Sequence, residues 1–417
     1  MILTCLVPVL LMLAQAPADN QSPAKTSFPG RLSEAQRQEA RDLLARLESG
    51  PFAPEMEAVG WTLCHCASEE GAARVQGAVE AISAYAGGNE QPLAELGGPE
   101  GFRKALRRLL RDPDPVVRGF VAETLGALGD QESKGEIARL VKTKPAEPPK
   151  EEDYDAEFDR GRSAMALGML GATEYADELA QLLRDPNPQT RGGAALGLGY
   201  LRGQQYADRV APLLSDDNDN VQITAIYSLA MMDARSHAKE IAGLLGAGGD
   251  PAIAETACYA LVRLNAKEHA PDIRRLLDEP FQQGYAAKAL ALMGADQYAK
   301  DIAAVLASEN SLSRRDALVA LGILKATAYE KDVAERLGDK ESFVQSAAAL
   351  ALLLMDARAY SSEITARLTE VPEHDFNYHE FNPLVRDQLK ELRARAEQNW
   401  KAITKTSGAE ADGRPEP

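Results

Sequence analysis

The chain has 417 residues, and its 63 Asp and Glu outnumber its 46 Lys and Arg, giving a formal net charge of −17 at pH 7. An acidic surface of this kind repels phosphate backbones, so we expect no nucleic-acid partner. Aromatic residues make up only 6% of the chain, which favours closely packed helices over a fold rich in β-sheet.

The first 18 residues have the pattern of a secretory signal peptide. An apolar run over residues 2–13 is followed by small residues at Ala14, Ala16 and Ala18, and this run is too short to span a bilayer. Cleavage after Ala18 is favoured, because cleavage after Ala16 would place Pro17 first in the mature chain. No Lys or Arg precedes the apolar run, a departure from the usual pattern. We expect a periplasmic or secreted protein with no membrane span in the mature chain.

Residues 19–32 predict a flexible leader, and residues 33–98 predict an N-terminal helical cap that begins with a capping box at Ser33. The run Cys64-His65-Cys66 falls in this cap. It is interpreted either as structural cysteines in a helix or as part of a metal or redox site. A structural zinc site needs about four ligands, and no second Cys/His pair follows at a suitable distance.

A basic segment follows the cap. Residues 102–110 have the pattern of the second helix of an incomplete repeat, and five cations at spacings of three and four fall on one side of it: Arg103, Lys104, Arg107, Arg108 and Arg111. In an otherwise acidic chain, this side is a candidate surface for an acidic partner segment.

A repeat array is predicted over residues 99–370. A leucine followed three residues later by Leu or Met recurs eight times, at Leu125, Leu167, Leu198, Leu229, Leu261, Leu290, Leu321 and Leu352. After a first gap lengthened by an insertion at residues 142–159, the spacing is close to 31 residues. This period predicts an all-α fold, an α-solenoid of helix-turn-helix repeats. We call these leucines the leading leucines of repeats 1–8.

The position four residues before each leading leucine is small or β-branched in every repeat. These residues are Val121, Ser163, Ala194, Ala225, Ala257, Ala286, Ala317 and Ala348. Helical spacing predicts that they lie where neighbouring helices approach closely.

A ring recurs eight residues after the leading leucine in every repeat but the first, where Ser133 stands. This Tyr/His row comprises Tyr175, Tyr206, His237, His269, Tyr298, Tyr329 and Tyr360. The rings either pack at the seam between repeats with their polar tips in solvent or present themselves to a ligand.

Acidic residues recur three positions after the rings. This acidic row comprises Glu136, Glu178, Glu240, Asp272, Asp301, Asp332 and Glu363, interrupted by Arg209. Such acids either meet the dipole of the second helix in its first turn or attract a basic partner. The second helices are therefore the expected binding surface.

Beyond the array, residues 371–405 predict a capping helix, and residues 406–417 a disordered tail. A closing helix is expected because the open end of a solenoid exposes apolar surface.

The segment Arg191-Gly192-Gly193-Ala194-Ala195-Leu196-Gly197-Leu198-Gly199, with its Pro-containing acidic turn and 31-residue period, resembles the short HEAT-like repeats of the phycobilisome lyase type. The resemblance implies a helical solenoid. Such repeats serve both chromophore lyases and scaffolds. We expect a scaffold for protein–protein interaction without catalytic residues, cofactor or metal; the alternative is a lyase-like chaperone or enzyme acting on a cofactor-bearing protein.

A di-iron hydroxylase built on HEAT repeats would need His-Glu pairs at equivalent positions of several repeats. The corresponding pairs in this chain are Gly119-Phe120, Gly161-Arg162, Gly192-Gly193 and Ile223-Thr224. None of these residues supplies the required imidazole or carboxylate ligands.

Overall fold

The computed structural model describes residues 34–49, 88–143, 158–246, 250–371 and 383–411, with individual positions between 71 and 85. The predicted signal peptide, the run Cys64-His65-Cys66 and most of the 142–159 insertion lie outside the described residues.

The described residues form helices joined by turns and contain no strand. Among the helices that precede repeat 1 are α1 (Glu34–Ser49), α2 (Gln91–Glu95) and α3 (Gly98–Leu109). The first helices of repeats 1–8 are α4 (Pro115–Ala127), α6 (Phe158–Met169), α8 (Pro188–Tyr200), α10 (Asp219–Met231), α12 (Pro251–Arg263), α14 (Gln283–Leu292), α16 (Ser311–Leu324) and α18 (Ser342–Leu354). The second helices are α5 (Lys134–Lys142), α7 (Ala176–Leu182), α9 (Ala207–Val210), α11 (Ala238–Ala242), α13 (Ala270–Arg275), α15 (Ala299–Ala304), α17 (Glu330–Glu335) and α19 (Ser361–Arg367). The predicted all-α class and the solenoid of helix-turn-helix repeats are confirmed.

Two compact units make up the described chain, and they divide between Ser228 and Leu229. Repeats 1–3 belong to the first unit and repeats 5–8 to the second, while the division falls within the first helix of repeat 4. None of the described helices is both long enough and apolar enough to cross a bilayer.

The leading leucines form the core of every repeat. All eight side chains are 0% exposed, and so are all eight side chains four positions earlier. Glycines at nearby register positions allow neighbouring backbones to approach closely. In the first unit, a Cβ added to Gly168 would lie 2.2 Å from the Gly197 carbonyl oxygen, and one added to Gly193 would lie 2.1 Å from that of Gly161.

A left-handed residue ends the first helix in every repeat, four positions after the leading leucine. It is Gly129, Gly171, Arg202, Asp233, Asn265, Gly294, Lys325 or Asp356. The backbone NH of the next residue donates to the leading leucine's carbonyl, as from Ala172 to Leu167 at 3.0 Å and from Ala326 to Leu321 at 3.0 Å. This is a Schellman-type ending. Each leading leucine thus sets both the core contact and the point at which the helix stops.

In repeats 1, 3, 4, 6, 7 and 8, a side chain seven residues before the leading leucine donates to a carbonyl of the turn that precedes the repeat. In repeat 7, Arg314 Nη1 donates to the carbonyls of Ser308 at 2.9 Å and Glu309 at 3.1 Å, while Nε and Nη2 bind both carboxylate oxygens of Asp339 at 2.9 and 2.8 Å. Arg191 binds Asp216 in the same way in the first unit, at 2.8 and 2.7 Å. We call this arrangement the Arg–Asp clasp.

The C-terminal helix α20 (Arg386–Ala411) packs on repeats 7 and 8 of the second unit. Arg395 donates to the Gly322 carbonyl at 3.1 Å, and Asn399 donates to the Leu353 carbonyl at 2.8 Å. The boundary predicted between capping helix and tail, at residues 405 and 406, lies inside this helix, which continues to Ala411.

Candidate functional site

Each residue of the Tyr/His row ends a three-residue 3-10 turn that directly precedes the second helix, as in Thr173–Tyr175 and Asp296–Tyr298. Each ring therefore belongs to the residue immediately before the second helix. Six of the rings are half-buried, and His237 is 9% exposed.

Polar contacts hold the tips of several rings. Tyr206 Oη donates to Asp177 Oδ1 of the preceding repeat at 2.7 Å. The Lys142 ammonium lies 5.3 Å from the centre of the Tyr175 ring, and the Arg209 guanidinium lies 5.9 Å from that of Tyr206. These rings therefore lie at the seam between repeats, with one edge buried and the other open to solvent.

The two histidines connect the Tyr/His row to the acidic row. His269 Nδ1 lies 3.1 Å from Asp272 Oδ2, and His237 Nδ1 lies 3.8 Å from Glu240 Oε1. Both pairs are three residues apart, with the histidine at the end of the 3-10 turn and the acid in the first turn of the second helix. In these two repeats of the second unit, the ring and the carboxylate therefore form a common surface.

The acidic row occupies the first turn of the second helices, as predicted, and four of its seven members pair with Arg or Lys side chains. Arg111 Nε lies 2.6 Å from Glu136 Oε1, and Lys142 Nζ lies 3.7 Å from Glu178 Oε1. The hydrogen bond from Arg111 holds the pKa of Glu136 below its ordinary value. In these cases the cation comes from the preceding repeat.

Two members of the row, Asp332 and Glu363, are exposed and have no ion-pair partner within the described part of the chain. Further along the row, Asp301 Oδ1 accepts from Arg274 Nη2 at 2.7 Å. Asp301 lines a cavity of about 280 Å³ together with Arg274, Gln283 and Ser308. The row is therefore partly neutralised within the chain and partly open to a partner.

The basic helix α3 is largely paired within the chain. Arg103 pairs with Glu39, and Arg107 pairs with Asp130 and with Glu132, the latter at 2.7 Å. Arg111 binds Glu136 of the acidic row, whereas Lys104 and Arg108 are exposed. The spacing predicted this face as a docking surface. Three of its five cations therefore form ion pairs with carboxylates of the same chain.

Two further ion pairs were missed by the sequence reasoning, and both join the position two before one leading leucine to the position five before the next. Glu123 accepts from Arg162 at 2.7 Å in the first unit. In the second unit Lys288 Nζ lies 3.3 Å from Asp316 Oδ2, so the charges are reversed. Opposite charges at these two register positions were the available signal.

A buried carboxyl group lies close to the second of these pairs. Burial raises the pKa of Glu255, the Lys288 ammonium opposes that rise and the Asp316 carboxylate adds to it. No group of three or more His, Cys, Asp or Glu side chains in the described ranges is arranged to hold a metal ion.

Known proteins share features with this chain. The family model for HEAT repeats matches residues 151–230. Among curated proteins, no relative is detected.

Several solved structures are similar to the chain. The complex of CpcE and CpcF of phycocyanin lyase from Nostoc sp. PCC7120 is 17% identical, with 61% of this chain and 94% of that chain covered and a TM-score of 0.39. An engineered protein is 16% identical, with coverages of 87% and 99% and a TM-score of 0.39. Human deoxyhypusine hydroxylase is 17% identical, with coverages of 78% and 98% and a TM-score of 0.27. At TM-scores below 0.5 these likenesses carry no inference about activity or partner.

The HEAT-repeat match covers repeat 2 and repeat 3, and the same register of buried leucine, left-handed turn residue and second helix recurs in all eight repeats. The predicted repeat type is therefore confirmed. The chain is a HEAT-like repeat protein with a repeat of about 31 residues.

Proposed function

We propose that this protein is an exported scaffold that binds a protein partner along its second helices and has no catalytic activity of its own. The observation that carries the proposal is the surface formed by the Tyr/His row and the acidic row in the second unit, where repeats 5–8 each present a half-buried ring and a carboxylate. Tyr side chains combine a large apolar area with a polar tip and are enriched in protein interfaces. Carboxylates beside them favour a partner with basic groups.

Affinity capture of the mature chain, with crosslinking, tests this proposal. We expect a stable protein partner whose crosslinks map to the second helices. The variant Tyr298→Ala/Tyr329→Ala should reduce capture about tenfold or more, because rings at the centre of an interface contribute most of its binding energy. The matched variant Tyr298→Phe/Tyr329→Phe keeps both rings and should retain most of the binding.

Charge is tested separately with the two open carboxylates. Asp332→Asn/Glu363→Gln should weaken capture and reduce its dependence on salt. Glu335→Gln/Glu370→Gln removes the same charge from outside the acidic row and serves as the control. Equal capture by all of these variants would contradict the proposed surface.

The alternative function, a lyase-like chaperone or enzyme, is distinguished by the purified protein itself. A visible chromophore or a stoichiometric metal on that protein would overturn the scaffold proposal. Export has its own readout, since cleavage after Ala18 gives a mature chain that begins at Asp19. A diffuse cytoplasmic location with an uncleaved N-terminus would contradict it.

A further inference from the structure

Three large apolar side chains are exposed in the described residues: Phe281, Leu312 and Phe343, which are 84%, 54% and 39% exposed. Each lies nine residues before a leading leucine, in repeats 6, 7 and 8, so they are spaced by exactly one repeat. We call them the apolar stripe.

Phe281 lies two residues before α14, and Leu312 and Phe343 are the second residues of α16 and α18. These first helices pack side by side. Near their N-terminal ends, a Cβ added to Gly284 of α14 would lie 2.4 Å from Asp316 Oδ2 of α16. Near their C-terminal ends, a Cβ added to Gly322 of α16 would lie 2.8 Å from the Ala351 Cα of α18. Equivalent registers therefore meet, and the three stripe residues lie along one edge of the second unit.

The fold does not require an exposed apolar residue at this register. In repeat 2 the equivalent residue is Phe158, which is 6% exposed. It packs against Gly119, and a Cβ added to that glycine would lie 2.6 Å from the Phe158 ring. The Arg162 guanidinium lies 5.2 Å from the centre of the same ring. Repeats 3–5 have Gln189, Asn220 and Ala252 at this position. Exposed apolar surface in consecutive repeats is characteristic of a binding site.

Acidic side chains flank the stripe. Glu279 and Glu341 lie two residues before Phe281 and Phe343, and Glu309 lies three residues before Leu312. Glu279 and Glu309 are exposed, and Glu341 is half-buried. A complementary surface therefore needs apolar side chains between basic ones.

The spacing of the stripe defines the shape of this complementary surface. Packed helices lie about 8–10 Å apart, and seven residues of an α-helix rise about 10.5 Å. A helix laid across the stripe would thus place every seventh side chain on a stripe residue. An extended peptide is disfavoured, because the helical edge has no strand to pair with its backbone groups.

We infer that the apolar stripe is a docking site for a basic amphipathic helix of a partner protein. The inference rests on the proposed scaffold function, but it concerns a different surface from the Tyr/His and acidic rows. The two can therefore fail independently.

The test uses the full mature chain and a synthetic peptide of about three heptads, with Leu at every seventh position and Lys and Ala elsewhere. Fluorescence anisotropy should show binding that weakens with salt, and circular dichroism should show the peptide becoming helical on binding. Phe281→Ser/Leu312→Ser/Phe343→Ser should weaken binding about tenfold or more. The control Lys300→Ser/Lys331→Ser changes exposed residues on second helices and should leave binding unchanged.

A peptide with Glu in place of Lys should bind much more weakly. Equal binding of the two peptides, or binding that the stripe variant leaves unchanged, would overturn the inference. Self-association that the stripe variant abolishes would also overturn it, because the occupant would then be a second copy of this chain. Stripe-dependent binding to phosphatidylglycerol vesicles, without binding of the peptide, would overturn it as well. Thermal unfolding of the stripe variant, expected at an unchanged midpoint, verifies that it is folded.

Repeating the affinity capture with the stripe variant separates the two proposals. Capture that still crosslinks to the second helices, together with a peptide that does not bind, would leave the scaffold function standing without the stripe. Peptide binding without capture of any protein would leave the stripe standing without the scaffold function.

Discussion

At the scale of single residues, the side chains that neighbouring repeats place around an ionisable group determine the direction of its pKa shift. Glu255 shows this most clearly. Its position on α12 gives no sign of a perturbed group, yet burial beside Lys288 and Asp316 raises its pKa. The sequence could not predict this, because Lys288 and Asp316 belong to the next two repeats.

The raised pKa has a definite consequence for stability. The folded state binds the Glu255 proton more tightly than the unfolded state, so this group lowers the free energy of unfolding as pH rises from about 4.5, the ordinary Glu value, through the raised pKa. We expect Glu255→Gln to be more stable than the parent protein at pH 8 and equally stable at pH 4. Urea unfolding at both pH values measures this. A loss of stability at pH 8 would mean that the Glu255 carboxylate makes a net favourable contact with Lys288.

At the scale of elements, the Arg–Asp clasp of repeats 3 and 7 joins the turn before the repeat to the turn after it. The acidic turns were evident in sequence, but their partner was not, because Arg314 and Asp339 are 25 residues apart and meet only when repeats stack. Gln345, at the same register, donates to the Asp339 carbonyl at 2.6 Å. Glutamine therefore keeps one bond to the turn and loses the carboxylate contact together with the second carbonyl bond that Arg314 makes to Glu309.

This makes Arg314→Gln a selective probe of the clasp. Both side chains are buried, and removing one partner of a buried pair costs about 3 kcal/mol. The hydrogen bond from Arg314 lowers the pKa of Asp339, so its stabilisation is present above the unfolded pKa and is lost as pH falls through the folded pKa. The deficit of Arg314→Gln should therefore be largest at neutral pH and shrink in acid, as measured by denaturant unfolding. Adding Asp339→Asn should restore much of the lost stability. If stability does not recover, the loss does not come from a buried Asp339 carboxylate left without its partner.

At the scale of the whole molecule, one register governs eight repeats. The leading leucines are buried in all of them, whereas the 3-10 turns that carry the Tyr/His row are more exposed. Local stability follows burial and contact density. Amide hydrogen exchange should consequently vary with a period of about 31 residues over residues 158–246 and 250–367, slowest in the first helices and fastest in the turns. If exchange rates lack this period, the leading leucines do not stabilise the repeats to the same extent.

The sequence by itself determined the helical class, the repeat length, the buried leucines and the positions of the Tyr/His and acidic rows. It could do so because core packing imposes the same residue type on the same register in every repeat. Tertiary structure decided which charges pair, as between Arg111 and Glu136, and which apolar side chains remain exposed. Phe158 and Phe281 occupy one register, yet Phe158 packs on Gly119 of the preceding repeat while Phe281 is open to solvent. The neighbouring repeat sets that difference, and a single repeat read alone does not contain it.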